Sequence, residues 1–395
     1  MRRFWGLGLT IIAFGLLAAC ASSPTVVEVT RLVPGSTAVF TADPITIDVE
    51  VTRVVTETVT QVETVVAERP SPGSAERPFQ LLFAPVVDTI VISNRAQVLA
   101  DWLAEQTGQQ FQVGILDNEQ RVIDLMCAAP AETIGFLTAV GAALANQQCG
   151  AQVVSTAVQN NGLSWQAGMI VVRRDSNITS LEDLDGKSWA IPSDTSVPNN
   201  WYFQALLAAQ GIEPGEIISV PGDNTAMLAV FNGDVDFATG TYWPPILPFE
   251  MREWVFGEDD PEIWRQTGAS PSRSGIGFVV VLGRPDQGGY RVRDARSGVF
   301  DTNQAIFDET RILTLSAPIP ADSVAVGGAF PFSTAQQLGS LLSQFAASEP
   351  CAVSLCATDF YGWTGLETAV PANYEPVHFV IDTLGWTDEA LLLTD

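Results

Sequence analysis

The sequence predicts an α/β fold of two lobes facing each other across a cleft. Three observations predict it. Short apolar runs alternate with helical patterns from Phe79 onward, a second such series begins after Trp165, and the chain then returns to a C-terminal helical portion. With 395 residues and 47% hydrophobic content, the chain can bury more than one core.

In chain order, the first segment, residues 1–19, reads as an export signal: Arg2 and Arg3 precede the apolar run "FWGLGLTIIAFGLLAA". "LAAC" resembles a bacterial lipobox, which makes Cys20 the lipid-carrying first residue of the mature chain. A plain cleaved signal and a retained anchor are the rival readings. No later stretch reaches the roughly 18 uninterrupted apolar residues a bilayer span needs.

Residues 20–78 form the second segment, which repeats "EVTR" and alternates Val with Thr and Glu up to "RPSPGSAERP". Period-two alternation is strand-like, but no aromatic anchors supply a packed face, so the segment reads as an extended stalk and linker. The alternative is a small self-associating β-module.

The first part of lobe 1 is assigned to residues 79–165. Its strands are "FQLLFAP", "FQVGIL" and "TIGFL", and its helices are "NRAQVLADWLAEQTG", "EQRVIDLMCAA" and "AVGAALANQQ". In such sheets ligands bind beyond the carboxyl ends of the strands, which singles out Asp88, Thr89 and Thr138. Lobe 2 is assigned to residues 166–320, with Ser180 as the cap of a short helix. Residues 321–395 return to lobe 1. A cleft between hingeing lobes is a recurrent place for a small ligand.

Within lobe 2, "AIPSDTSVPNNWYF" places Ser193, Thr195 and Ser196 before Pro198, and a helix is predicted from about Asn199 to Ala209. The first turn of a helix offers unpaired N–H groups and the positive end of a dipole, a natural seat for an oxyanion. The plain alternative is an N-cap worth about 1 kcal/mol.

Four blocks carry a resemblance to a known family: "MIVVRRDSNITSLEDLDGKSWAI", "TS" before a helix, "AMLAVFNGDVDFATG" and "LTLSAPIPADSVAV". In order and spacing they resemble the phosphate, phosphite and phosphonate substrate-binding proteins of ABC transporters, over about four-fifths of the chain. The resemblance implies a Venus-flytrap fold of the type II periplasmic-binding-protein class, which closes on a solute and presents it to a membrane permease. It also implies a monomer without a cofactor, exported and lipid-anchored on the outer face of the cytoplasmic membrane. It assigns Thr195 and Ser196 to the phosphoryl oxygens.

Asp194 sits inside that turn as a carboxylate, and Asn224 stands near where the family often carries a histidine. Tyr242 and Trp243, with Thr239 and Thr241, follow "VDFA" and either contact the solute or pack under the insertion after them. Trp165 marks the crossing between lobes. Arg95 and Arg273 are candidate partners for an anion. Two alternatives stand beside transport of a small oxyanion: a surface sensor or scaffold of the same fold, and a binder of a sulfonate or a pyrimidine precursor.

Beyond Cys20 the cysteines number four: Cys127, Cys149, Cys351 and Cys356. An even count in an exported chain reads as disulfides, and of the three possible connectivities the local pairs Cys127–Cys149 and Cys351–Cys356 are favoured. A metal site lacks support, because no CxxC occurs and His378 is the sole histidine. A formal charge of −26, more negative once Arg2 and Arg3 are removed, repels nucleic acid. No GxSxG, HExxH or Walker loop points to catalysis.

Overall fold

A computed structural model describes residues 69–387 apart from Met251 and Gln287, and residues from Pro70 onward form one compact unit. The export signal, Cys20 and nearly all of the expected stalk lie outside the described residues.

The first half of lobe 1 contains β1 (Phe79–Phe83), α1 (Thr89–Thr107), β2 (Phe111–Ile115), α2 (Glu119–Ala128), β3 (Thr133–Leu137), α3 (Ala139–Cys149) and β4 (Gln152–Val158). The chain then crosses to lobe 2, which opens with β5 (Trp165–Arg173), β6 (Trp189–Ile191), α4 (Tyr202–Ala209), β7 (Ile217–Ser219), α5 (Gly222–Asn232) and β8 (Phe237–Tyr242). After an insertion come β9 (Ser272–Arg273), β10 (Val279–Leu282), β11 (Gly289–Val292), α6 (Ile306–Glu309), β12 (Thr310–Leu315) and β13 (Ile319–Pro320). The chain recrosses into β14 (Ser323–Val326), α7 (Phe332–Ala346), β15 (Gly365–Thr368) and α8 (Glu375–Leu384).

The lobe 1 sheet has the order β15-β4-β14-β3-β1-β2, and the main lobe 2 sheet runs β12-β5-β8-β6-β7 with β13 on β5. In lobe 1, β1 lies parallel to β2 and β3, while the returning β14 is antiparallel to β3 and β4. In lobe 2, β6 is parallel to β7 and β8, and β5 runs against β8 and β12. The two crossings are bonded to each other by Ala157 N–H to Asp322 O at 2.8 Å and Ala321 N–H to Ser164 O at 2.9 Å. Fold and cleft therefore follow the sequence expectation.

Both sheets are covered on both faces at their centres, so β3 and β5 carry runs of consecutive buried residues rather than an alternation. In lobe 1, Leu81 and Phe83 face the core under α1 and α7, whereas Leu82 faces α2 and α3. In lobe 2, Met169 and Val171 join the core around α5, while Ile170 and Val172 meet Trp189 and Phe203. A third contact joins the lobes through α4 and α8, where Trp201 meets Trp386 at 4.3 Å and Tyr202 meets Phe379 at 5.9 Å.

Both local disulfides form, Cys127–Cys149 joining α2 to α3 and Cys351–Cys356 closing the turn after α7. Closing the 22-residue separation removes about 3 kcal/mol of chain entropy from the unfolded state.

Three local expectations change. First, α1 begins at Thr89, because Asp88 accepts from Ile90 N–H at 2.8 Å and starts the helix ahead of the apolar repeat. Second, Ser180 does not cap the short helix Glu182–Leu184. Instead Asp183 accepts from the N–H groups of Thr179 and Ser180 at 2.7 and 3.0 Å. Third, the end of the expected linker is docked: Gln110 N–H bonds Gly73 O at 2.8 Å, and Arg77 pairs with Glu132.

A buried ion network fastens the lobe 2 insertion. Arg296, fully buried, forks onto Asp294 with two bonds of 3.0 Å and reaches Glu262 at 2.8 Å. Arg265 and Arg174 complete it on Glu262 at 3.0 and 3.1 Å.

Candidate functional site

The carboxyl ends of β6, β7 and β8 open onto adjacent loops, at the place where parallel α/β sheets bind ligands. Gly222 N–H bonds Pro192 O at 3.2 Å and so joins the loop after β7 to the loop after β6. Around this junction lie Ser193, Thr195, Ser196, Asn199, Asp223 and Thr241.

The turn is built from local capping. Ser196 is the N-cap, its Oγ accepting from Asn199 N–H at 3.2 Å, and Pro198 occupies the first turn. The helix begins two residues earlier than predicted, as a wide π turn over Val197–Trp201 that passes into α4. Such turns widen the ring of backbone donors and recur at functional sites. Ser193 Oγ lies 3.2 Å from Thr195 Oγ1 and accepts from Thr195 N–H at 3.3 Å.

Asn199 is 7% exposed; its Nδ2 donates to Thr241 Oγ1 at 3.0 Å, and its Oδ1 has no partner among the described residues. Thr241 N–H in turn donates to Asp223 Oδ1 at 3.3 Å. Asn200, which the sequence reading missed, fixes the loop from below by donating to Asp194 O at 2.8 Å. Gly168 was missed as well. A Cβ there would lie 2.1 Å from Pro198 O, so only glycine lets the turn rest directly on β5. An isolated glycine inside the strand run "QAGMIVV" is the signal that marks such a close approach.

The other sequence candidates stand elsewhere. Tyr242 is a correction: at 2% exposure it donates to Pro261 O at 3.2 Å and packs 5.4 Å from Trp254. Burial raises its hydroxyl pKa, and it belongs to the core because that polar tip finds a carbonyl under the insertion. Trp165 joins the same aromatic group through Phe256 at 6.4 Å. Asn224 sits on the exposed side of α5 with its carboxamide against Gly298. Arg95 is bound to Asp359 at 2.8 Å and Arg273 to Asp301 at 2.6 Å, so neither approaches the turn.

Lobe 1 meets the cleft with different chemistry. Asp88 and Thr89 are exposed at the start of α1. Thr138 caps α3, but its N–H and hydroxyl both donate to Glu119, at 2.5 and 2.9 Å. Burial raises the carboxyl pKa of Asp322 in the second crossing, opposed by a hydrogen bond from Trp363. Tyr361 is pushed well above the usual phenol range by burial and by the nearby Asp322 and Glu119. On the lobe 2 side the Ser193, Thr195 and Ser196 hydroxyls thus lie near the Asp223 carboxylate, and on the lobe 1 side both donors of Thr138 are taken by Glu119.

Residues 81–374 match the family described as ABC transporter, phosphonate, periplasmic substrate-binding protein. No curated protein matches the sequence. Among solved structures, the chain is similar to an ATP-bound protein of Xanthomonas citri, with 15% identity, TM-score 0.45 and coverage of 78% of this chain and 96% of that one. It is also similar to a binding-protein component of an ABC phosphonate transporter from Pseudomonas aeruginosa, with 12% identity, TM-score 0.38 and coverage of 78% and 86%. A Prochlorococcus marinus protein in complex with methylphosphonate matches with 10% identity, TM-score 0.38 and coverage of 78% and 98%.

Proposed function

We infer the role of this chain from its family: it belongs to the periplasmic phosphonate substrate-binding proteins of ABC transporters, and it binds a solute for import. As a member of a periplasmic family it is exported and serves a membrane permease.

The solute, in this reading, is a small oxyanion of the phosphate, phosphite or phosphonate kind, seated on the first turn of α4. The observation that carries it is the Ser196-capped π turn flanked by the Ser193 and Thr195 hydroxyls. Hydroxyl donors and the helix dipole supply the attraction there, without Lys or Arg. Closure of the lobes strengthens those bonds by removing water.

Thermal melts with phosphate, phosphite, methylphosphonate and an alkylsulfonate test the assignment. At least one phosphorus oxyanion is expected to raise the melting temperature, and Thr195→Ala combined with Ser196→Ala is expected to remove that rise. A rise that survives the double replacement, or one produced by the sulfonate alone, rejects the reading.

Lipid anchoring through Cys20 is part of the same proposal, carried by the lipobox-like "LAAC". Cys20→Ala is expected to move the protein from the membrane fraction to the soluble fraction. Unchanged fractionation would remove the anchor.

A further inference from the structure

We propose that Glu119 determines which part of the solute each lobe accepts: as an internal anion it takes the N–H and hydroxyl of Thr138, the cap of α3, denies those donors to the solute, and confines the oxyanion to the turn that leads into α4. This rests on the α4 reading above. The α3 helix has 11 residues and leaves the carboxyl end of β3, where a flytrap solute meets lobe 1. Its first turn is therefore a second ready-made anion seat. Glu119 already occupies it.

The geometry is that of a bound ligand. Glu119 Oε1 accepts from Thr138 N–H at 2.5 Å and Oε2 from Thr138 Oγ at 2.9 Å, while Thr138 Oγ accepts from Gly141 N–H at 3.1 Å. The residue is 2% exposed. A Cβ on Gly141 would lie 2.3 Å from Oε1, so the helix is open at that position only because glycine stands there. The carboxylate comes from the first turn of α2, where Asn118 accepts from Arg121 N–H at 3.0 Å, and the Cys127–Cys149 bridge ties α2 to α3.

The two lobes are consequently unequal. In lobe 2 an alcohol, Ser196, caps the turn and leaves room for incoming negative charge. In lobe 1 the cap of α3 is also an alcohol, Thr138, but its hydroxyl and its N–H are both given to the buried Glu119 carboxylate. A dianion entering between the lobes finds hydroxyl donors beside Asp223 on the lobe 2 side, whereas on the lobe 1 side Thr138 already serves a carboxylate. Glu119 thereby orients the solute and sets a limit on the charge it can carry.

Glu119→Gln and Glu119→Ala test this by calorimetric titration with phosphite and methylphosphonate and by melts in sodium formate against sodium chloride. Glu119→Gln retains a carbonyl for Thr138 N–H, removes the charge, and turns the acceptor facing Thr138 Oγ into an amide donor. It is expected to bind the oxyanion about tenfold more tightly than wild type, one pKa unit's worth of interaction. Glu119→Ala is expected to melt lower and to regain most of that loss in formate, which refills the seat, while wild type does not respond. Should Glu119→Ala fail to fold, the Gln titration decides. An affinity for Glu119→Gln within about twofold of wild type overturns the proposal even if formate rescues, leaving Glu119 a brace between helices. Wild type binding normally beside an unchanged Gln variant removes only this inference; no oxyanion binding by either protein removes the α4 reading along with it.

Discussion

Arg296→Met is expected to destabilise the fold by about 3–5 kcal/mol, because it strands the buried Asp294 carboxylate and takes one of three arginines from Glu262. Asp294, 2% exposed, loses both forked bonds, and Glu262 loses its closest cation. Packing is lost too, since the guanidinium lies 4.8 Å above the Phe307 ring. Urea unfolding followed by tryptophan fluorescence measures the change. A loss below about 1 kcal/mol would show the network to be ornamental.

The pH dependence of that loss has a definite sign. Burial alone would raise the Glu262 carboxyl, but Arg296 and Arg265 outweigh it and hold the carboxyl below its ordinary range. A depressed folded pKa gives stability that is present above the unfolded value and is lost as pH falls through the folded one. The deficit of Arg296→Met is therefore expected to be largest near neutral pH and to shrink as the solution is acidified through the carboxylate range. Replacing Arg296, Asp294 and Glu262 together with apolar residues of similar volume is expected to recover much of the stability, since the desolvation cost disappears with the charges.

Gly168→Ala is the second large effect, and it strikes the candidate site from beneath. The new Cβ would lie 2.1 Å from Pro198 O and 2.9 Å from Asn199 Oδ1, and the first of these is backbone, which yields only by moving the turn. The strand cannot retreat either. Gly168 N–H donates to Ser316 Oγ at 2.8 Å, and Gly168 O accepts from Ser316 N–H at 2.8 Å. A cost of about 3 kcal/mol is expected, at the upper end of ordinary overpacking, together with loss of the solute-induced rise in melting temperature. Gly275→Ala, at a position with open space and no left-handed backbone, serves as the control and is expected to be neutral in both measurements. Wild-type behaviour of Gly168→Ala would mean that the π turn is not fixed by β5.

Much of this molecule is legible in its sequence where the cause is local. Alternation of apolar runs and helical patterns marks the strands and helices because each element must bury a face. Ser196 and Pro198 announce the start of a helix because capping acts within three residues. The local cysteine pairs follow from proximity along the chain. The candidate turn on lobe 2 is legible for the same reason, since its hydroxyls and donors are neighbours in sequence.

Partnership across the chain is a different matter. Thr138 reads as a free cap until α2 brings Glu119 to it across 19 residues, and Gly168 reads as one more strand residue until the turn settles on it. Tyr242 reads either as a solute contact or as packing until the insertion buries it and Pro261 O accepts a hydrogen bond from its hydroxyl. By itself the sequence determined the α/β order and the hydroxyl turn, because hydrogen bonding and burial along a few residues are enough to specify them, and it favoured the local disulfides among three possible connectivities. Only the tertiary structure decided that Thr138 gives its donors to Glu119 while Asp223 comes to Thr241 beside the lobe 2 turn. That outcome depends on which side chains long-range packing delivers to each helix end.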